Sequence, residues 1–109
     1  MTVSSIWISF DLGVRGDYEG LYSWLDKHGA KECGDSIAFL KYEHTGPMLT
    51  ALKKDLEKSV EVTRKTRFYV MYREPDTKLM KGKFIVGGRK ASPWEGYAGG
   101  STEADEDNP

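Results

Sequence analysis

Ile6, Ile8 and Phe10 alternate with Ser5, Trp7 and Ser9. A repeat of two residues marks a strand whose successive side chains point to opposite faces. The repeat then changes. Tyr18, Leu21, Tyr22 and Leu25 recur at helical spacing, which gathers them on one face of a helix. The chain makes this switch a second time, and the order of the two periods restricts its fold more than any other feature. Asp17 stands where its carboxylate caps the first helix. Gly29 follows Lys27 and His28, so a left-handed turn ends that helix and basic groups meet its negative end.

Ala30–Cys33 and Ser36–Tyr42 read as two antiparallel strands, joined by Gly34-Asp35 as a two-residue hairpin turn. Thr45-Gly46-Pro47 starts a second helix, with proline at the first helical position. Leu49, Leu52, Leu56 and Val60 form its buried stripe, and Lys53, Lys54, Asp55 and Lys58 lie outside. Arg67–Arg73 is a strand with Phe68, Val70 and Tyr72 on one side and Tyr69 and Met71 on the other. Pro75-Asp76 marks a turn, Lys83–Val86 a short further strand, and Gly87-Gly88 its end. Trp94 and Tyr97 fall in a loop and need cover. From Ala98 onward the chain is small and acidic, which predicts a disordered tail over 98–109.

The order is strand, helix, strand, strand, helix, strand, then one strand more. That is α+β, a ferredoxin-like βαββαβ sandwich with an extra C-terminal strand. Right-handed crossovers place both helices on one face of an antiparallel sheet. A chain of 109 residues suffices for one such domain, expected over residues 1–97. The other sheet face then lacks cover. Trp7, Tyr69 and Met71 point that way, with Leu40 or Tyr42 as further candidates. So much contiguous apolar surface is rarely left wet. A second subunit, the Trp94/Tyr97 segment or stacked nucleic-acid bases are the three covers to weigh. The basic and aromatic consensus of RNA-recognition sheets is missing: its nearest counterpart, Lys81-Gly82-Lys83-Phe84, has lysine in place of the first aromatic.

Charge is unevenly placed: residues 1–40 carry a net −3, residues 41–90 a net +7 and residues 91–109 a net −5. The basic middle suits a polyanion, RNA or DNA, as well as plain solvation. Lys53, Lys54, Arg64, Lys65 and Arg67 make the best basic cluster; Lys78, Lys81, Lys83, Arg89 and Lys90 make a second. No apolar run is long enough for a membrane span, and a single cysteine, Cys33, fits a reducing compartment. A cytoplasmic protein with no membrane partner is expected.

Ser9-Phe10-Asp11-Leu12, then Asp17-Tyr18-Glu19-Gly20-Leu21-Tyr22-Ser23-Trp24-Leu25, then Leu52-Lys53-Lys54-Asp55-Leu56 and Arg67-Phe68-Tyr69-Val70 resemble the SinR-like family. These are small ferredoxin-fold proteins related to the small subunit of CRISPR spacer adaptation and to toxin–antitoxin nucleases. The resemblance covers roughly residues 5–72. It implies a homodimer, and in the better-known relatives a divalent-metal-dependent nuclease. In that family an aspartate ending the first strand is the metal ligand, and Asp11 holds that place here. The resemblance thus implies Asp11 as the catalytic and metal residue, shared across a dimer axis with Mg²⁺ or Mn²⁺. Read on its own, Asp11 is an ordinary turn residue. The Lys78–Val86 hairpin and the Pro93–Tyr97 loop depart from the family pattern.

His28 reads as a helix-end residue, His44 as a surface loop residue and Cys33 as a small hydrophobe in a strand. Gly13 and Gly16 make no phosphate loop. Two functions are therefore expected to compete. One is a homodimeric nucleic-acid-associated protein with weak nuclease activity through Asp11. The other is a non-catalytic protein-interaction module that uses the open sheet face.

Overall fold

A computed structural model describes residues 1–99; of the expected acidic tail, residues 100–109 lie outside the described residues. The first strand, β1 (Thr2–Asp11), is followed by α1 (Tyr18–Lys27), β2 (Lys31–Glu32), β3 (Ile37–His44), α2 (Met48–Ser59), β4 (Arg67–Arg73) and β5 (Met80–Val86). The result is α+β: two helices and a five-stranded antiparallel sheet of order β2-β3-β1-β4-β5. That composition is consistent with a ferredoxin-like arrangement.

The alternation in β1 works as its period requires. Ile6, Ile8 and Phe10 are buried, while Trp7, Ser9 and Asp11 are only partly covered on the opposite face. Ile6 pairs with Leu40 and Tyr72, and Ile8 with Ala38 and Val70. The inward residues of three strands thus form one apolar layer. Leu21 and Trp24 of α1 and Leu52 and Leu56 of α2 close over it, and with Phe68 and Val70 they make one core.

Asp17 caps α1 as anticipated, its Oδ1 accepting from the Gly20 N–H at 3.0 Å. It does more than cap. Its Oδ2 accepts from the Glu61 N–H at 2.9 Å, just past the end of α2. One carboxylate therefore ties the start of one helix to the exit of the other, and both N–H groups hold its pKa below the ordinary aspartate value. A Cβ on Gly20 would lie 2.5 Å from the Ser59 carbonyl oxygen, so the close approach of the helices depends on glycine there.

Several local readings shift. Pro47 is the N-cap of α2 rather than its first helical residue. The segment between β2 and β3 spans Cys33 to Ser36, longer than a two-residue turn, and Cys33 is exposed. Strand β5 begins at Met80, because the hairpin pairs Met80 with Arg73. Leu40 and Tyr42 are core residues, with Ile37 and Phe39 on the open face instead. His44 is not in a surface loop. It ends β3 and is 9% exposed.

Replacing Leu52, which is fully buried, by alanine removes most of a side chain between helix and sheet. The expected loss is about 2–5 kcal/mol, a large share of the roughly 5–15 kcal/mol that holds a domain folded. Urea denaturation followed by circular dichroism reads it as a lowered midpoint with an unchanged slope. Gly20→Ala is expected to lower the midpoint as well, through the Ser59 contact.

Candidate nucleic-acid interface

Trp7, Tyr69 and Met71 occupy one surface, as the strand alternation requires. Trp7 pairs with Met71 across β1 and β4, and Ser9 with Tyr69. Phe39 joins them, its ring 4.9 Å from that of Trp7. Phe84 extends the row into β5, its ring edge-on to Tyr69 at 4.8 Å. All of these side chains are half-buried. The face is thus an aromatic floor about four strands wide, and neither α1 nor α2 lies over it. The Trp94/Tyr97 segment does not supply the cover: Trp94 is 72% and Tyr97 86% exposed.

The position of Tyr69 depends on a missing side chain. A Cβ on Gly82 would lie 2.1 Å from the Tyr69 hydroxyl oxygen, so the phenol lies flat across the β5 backbone only because residue 82 is glycine. An irregular register between Phe68 and Tyr69 sets Phe84, rather than Ile85, opposite Tyr69.

One corner of this face carries the charge. A pocket of about 280 Å³ is lined by Ser9, Asp11, Arg67, Tyr69, Phe84 and Arg89, with the edge of Phe10. The Arg67 guanidinium donates to Asp11 Oδ2 at 2.9 Å, and its carbon lies 6.0 Å from the Phe84 ring centre. Arg89 approaches the same ring at 5.6 Å. Lys90 Nζ is 3.9 Å from Asp11 Oδ2. Asp11 Oδ1 accepts from the Gly13 N–H at 3.1 Å, the turn role open to any aspartate at a strand end. The Arg67 hydrogen bond first, then that of Gly13, holds the Asp11 carboxyl below its ordinary pKa.

These partners bear on the metal expectation. A divalent cation wants several oxygen ligands. Asp11 already faces two cationic side chains and one N–H, and among the described residues no cluster of three or more His, Cys, Asp or Glu is placed to hold an ion. The donor set within one chain does not fit Mg²⁺ or Mn²⁺.

The basic residues singled out in the sequence separate in space. Arg67 belongs to the corner. Lys65 runs beside Gly13, two residues beyond Asp11. Arg64 is exposed in the loop before β4, and Lys53 and Lys54 are exposed on α2, in the helix layer. The strands contribute Lys31, Lys41, Arg67 and Arg73 to the open face, against Asp11 and Glu43. Phe39, Phe84 and Arg89 were not singled out as members of this face. Strand pairing was the missing signal for the first two; Arg89 follows β5 and reaches Phe84 only through the folded chain. No protein-family model, curated protein or solved structure matches this chain.

The lowered Asp11 pKa fixes the sign of a pH effect. Stability from the Asp11–Arg67 pair is fully present above the unfolded aspartate value of about 4. It is lost as pH falls from there through the lower folded value. Thermal unfolding of the wild type and of Asp11→Asn is expected to differ at neutral pH, with the gap closing in acid below about pH 4.

Proposed function

We propose that this chain is a single-stranded nucleic-acid-binding module whose platform is the helix-free face of its sheet, here read as ferredoxin-like with β5 added beside β4. One observation carries the reading: two arginines flank the Phe84 ring at the margin of a floor formed by Trp7, Phe39 and Tyr69. Such a surface has the two components that unpaired strands require. Bases stack on aromatic faces, each contact being worth about 1–3 kcal/mol. Phosphates meet guanidinium and ammonium groups. A duplex would offer no free base faces to this floor.

The net +7 over residues 41–90 supports attraction to a polyanion. Its members on α2, Lys53, Lys54 and Lys58, and those on the open face, Lys41, Arg67 and Arg73, lie on opposite sides of the sheet, so a single strand on this platform meets only the latter. The reading does not require the RNA-recognition consensus, because the aromatics come from β1, β3, β4 and β5 rather than from two short motifs. A second reading has its own support. Ile37, Phe39, Trp7 and Met71 form an apolar strip across three strands, and a second copy would bury it by pairing face to face. That would be the homodimer the family resemblance implies. It would take the same floor from nucleic acid.

Fluorescence anisotropy with short single-stranded RNA, single-stranded DNA and duplex DNA tests the first reading. Single strands are expected to bind, with affinity falling steeply as salt rises. Phe84→Ala and Trp7→Ala each weaken binding by about 1–3 kcal/mol, and Arg67→Ala reduces the salt slope by about 1. Lys53→Ala with Lys54→Ala leaves single-strand affinity unchanged. Preference for duplex, or loss of binding with the α2 lysines and not with Phe84, overturns the reading. Sedimentation over a concentration series separates the second: a dimer abolished by Trp7→Glu supports self-pairing, and a monomer throughout rejects it.

A further inference from the structure

At the end of β1 opposite Asp11 lies a second depression, a groove of about 780 Å³. It runs between the first residues of β1, the start of α2 and the turn after β4. Ser4 and His44 both line it. Ser4 Oγ is 2.8 Å from His44 Nε2, and His44 Nδ1 is 2.9 Å from the Gly46 carbonyl oxygen. A carbonyl only accepts, so Nδ1 carries the hydrogen. In the neutral ring Nε2 then presents a lone pair, and the Ser4 hydroxyl donates to it. The imidazole is buried and stacked on Tyr42, with ring centres 5.7 Å apart and planes 17° apart. Its orientation is thus fixed from three sides.

A hydroxyl hydrogen-bonded to a base that a third group holds in the correct tautomer is the geometry of an activated nucleophile. The groove supplies two further requirements. Met48 and Leu49, in the first turn of α2, line it, and Pro47 provides no side-chain cap for that turn. The first-turn N–H groups of α2, which have no partner within the helix, thus belong to a segment that borders the groove, and they are the donors assigned to the acyl oxygen in the reaction proposed below. Met48, Leu49 and Tyr72 make part of the wall apolar.

We propose that Ser4 and His44 form a nucleophile–base pair acting on small carboxylic esters with an apolar acyl group. Ser4 Oγ bonds to the acyl carbon while its proton passes to His44 Nε2 and the carbonyl π pair moves onto oxygen. The oxyanion collapses, the ester C–O bond breaks, and the leaving alkoxide takes the proton from His44. Water then attacks the acyl-serine with His44 again as base. The carboxylic acid leaves, and the proton returns to Ser4 Oγ. This chemistry is independent of the open sheet face and stands whether or not that face binds nucleic acid.

The test uses the full chain with two probes. One is an alkyl fluorophosphonate, which loses fluoride on phosphonylating an activated serine. The other is p-nitrophenyl butyrate. Intact-mass spectrometry and peptide mapping are expected to find one phosphonyl group, on Ser4. Ser4→Ala takes up none and does not hydrolyse the ester. His44→Gln keeps an acceptor for the Ser4 hydroxyl but cannot take up its proton, so it reacts about 100-fold or more slowly, while its thermal unfolding confirms the fold. A wild-type chain that remains unmodified at Ser4 overturns the proposal, whatever the variants do. So does a His44→Gln chain that labels at the wild-type rate. Ester hydrolysis that persists in Ser4→Ala identifies another catalyst and counts against it equally.

Discussion

Among the described residues the helices cover the sheet on one side only, and β1 at its centre determines what each side receives. It pairs with both β3 and β4, so its alternation is imposed on its neighbours through register. Even-numbered residues from Ser4 to Phe10 turn toward the helices, and odd-numbered ones from Val3 to Asp11 turn away. A one-residue slip would exchange the two sets, and the burial of Ile6 and Ile8 against both helices opposes it. The helix layer is fixed in its turn by Asp17, which binds the N–H groups of Gly20 and Glu61, and by the absence of a side chain on Gly20. The two helices thus act as one lid on one face, and the reverse face keeps its aromatic rings in reach of solvent.

The Asp11–Arg67 pair is partly exposed at 2.9 Å, and such pairs add little net stability. Its larger effect is geometric. Arg67 has a long, flexible side chain whose ordering costs entropy. Hydrogen bonding to Asp11 and the Phe84 face hold the guanidinium in one place at the pocket margin. Among the described residues Arg89 has no such carboxylate partner, and it meets the same ring from outside the strands. One cation is therefore preset and the other more adjustable. That division suits a ligand with a fixed base position and a variable backbone path.

The separation of helix from strand was legible from periodicity alone, and Asp17 and Gly29 marked real helix ends. What could not be read locally was parity in β3. The run Ser36-Ile37-Ala38-Phe39-Leu40-Lys41-Tyr42 is apolar on both faces, so either set could have been the buried one. Pairing of Ile6 with Leu40 decides it, and that pairing is a contact between distant parts of the chain. The same reason hid Phe84, whose direction follows from an irregular register beside Tyr69, and lengthened β5 beyond its apolar residues to Met80. His44 looked like a loop residue because a polar side chain near Gly46-Pro47 usually is one. Its burial follows from Ser4, Tyr42 and the Gly46 carbonyl, and no local rule brings those three together. Trp94 and Tyr97 failed in the other direction: aromatic character alone does not pull a loop onto a surface.

The two candidate sites share β1, and parity explains why they do not compete. Asp11 is odd and lies at the C-terminal end on the open face; Ser4 is even and lies near the N-terminal end on the helix side. The central strand β1 is paired on both edges from Ile6 to Ser9 and on one edge at Ser4 and Asp11, and a strand so held is among the more rigid parts of a fold. Side chains that project from it are held more precisely than those on loops. Each site then takes its remaining groups from a neighbouring segment. Arg89 and Lys90 follow β5, and Gly46, Met48 and Leu49 border the start of α2. The rigid strand fixes one reacting or pairing group in each case, and the adjoining segment adapts around it. A ligand on the odd face at one end therefore leaves the even face at the other end open, and the domain has room for both.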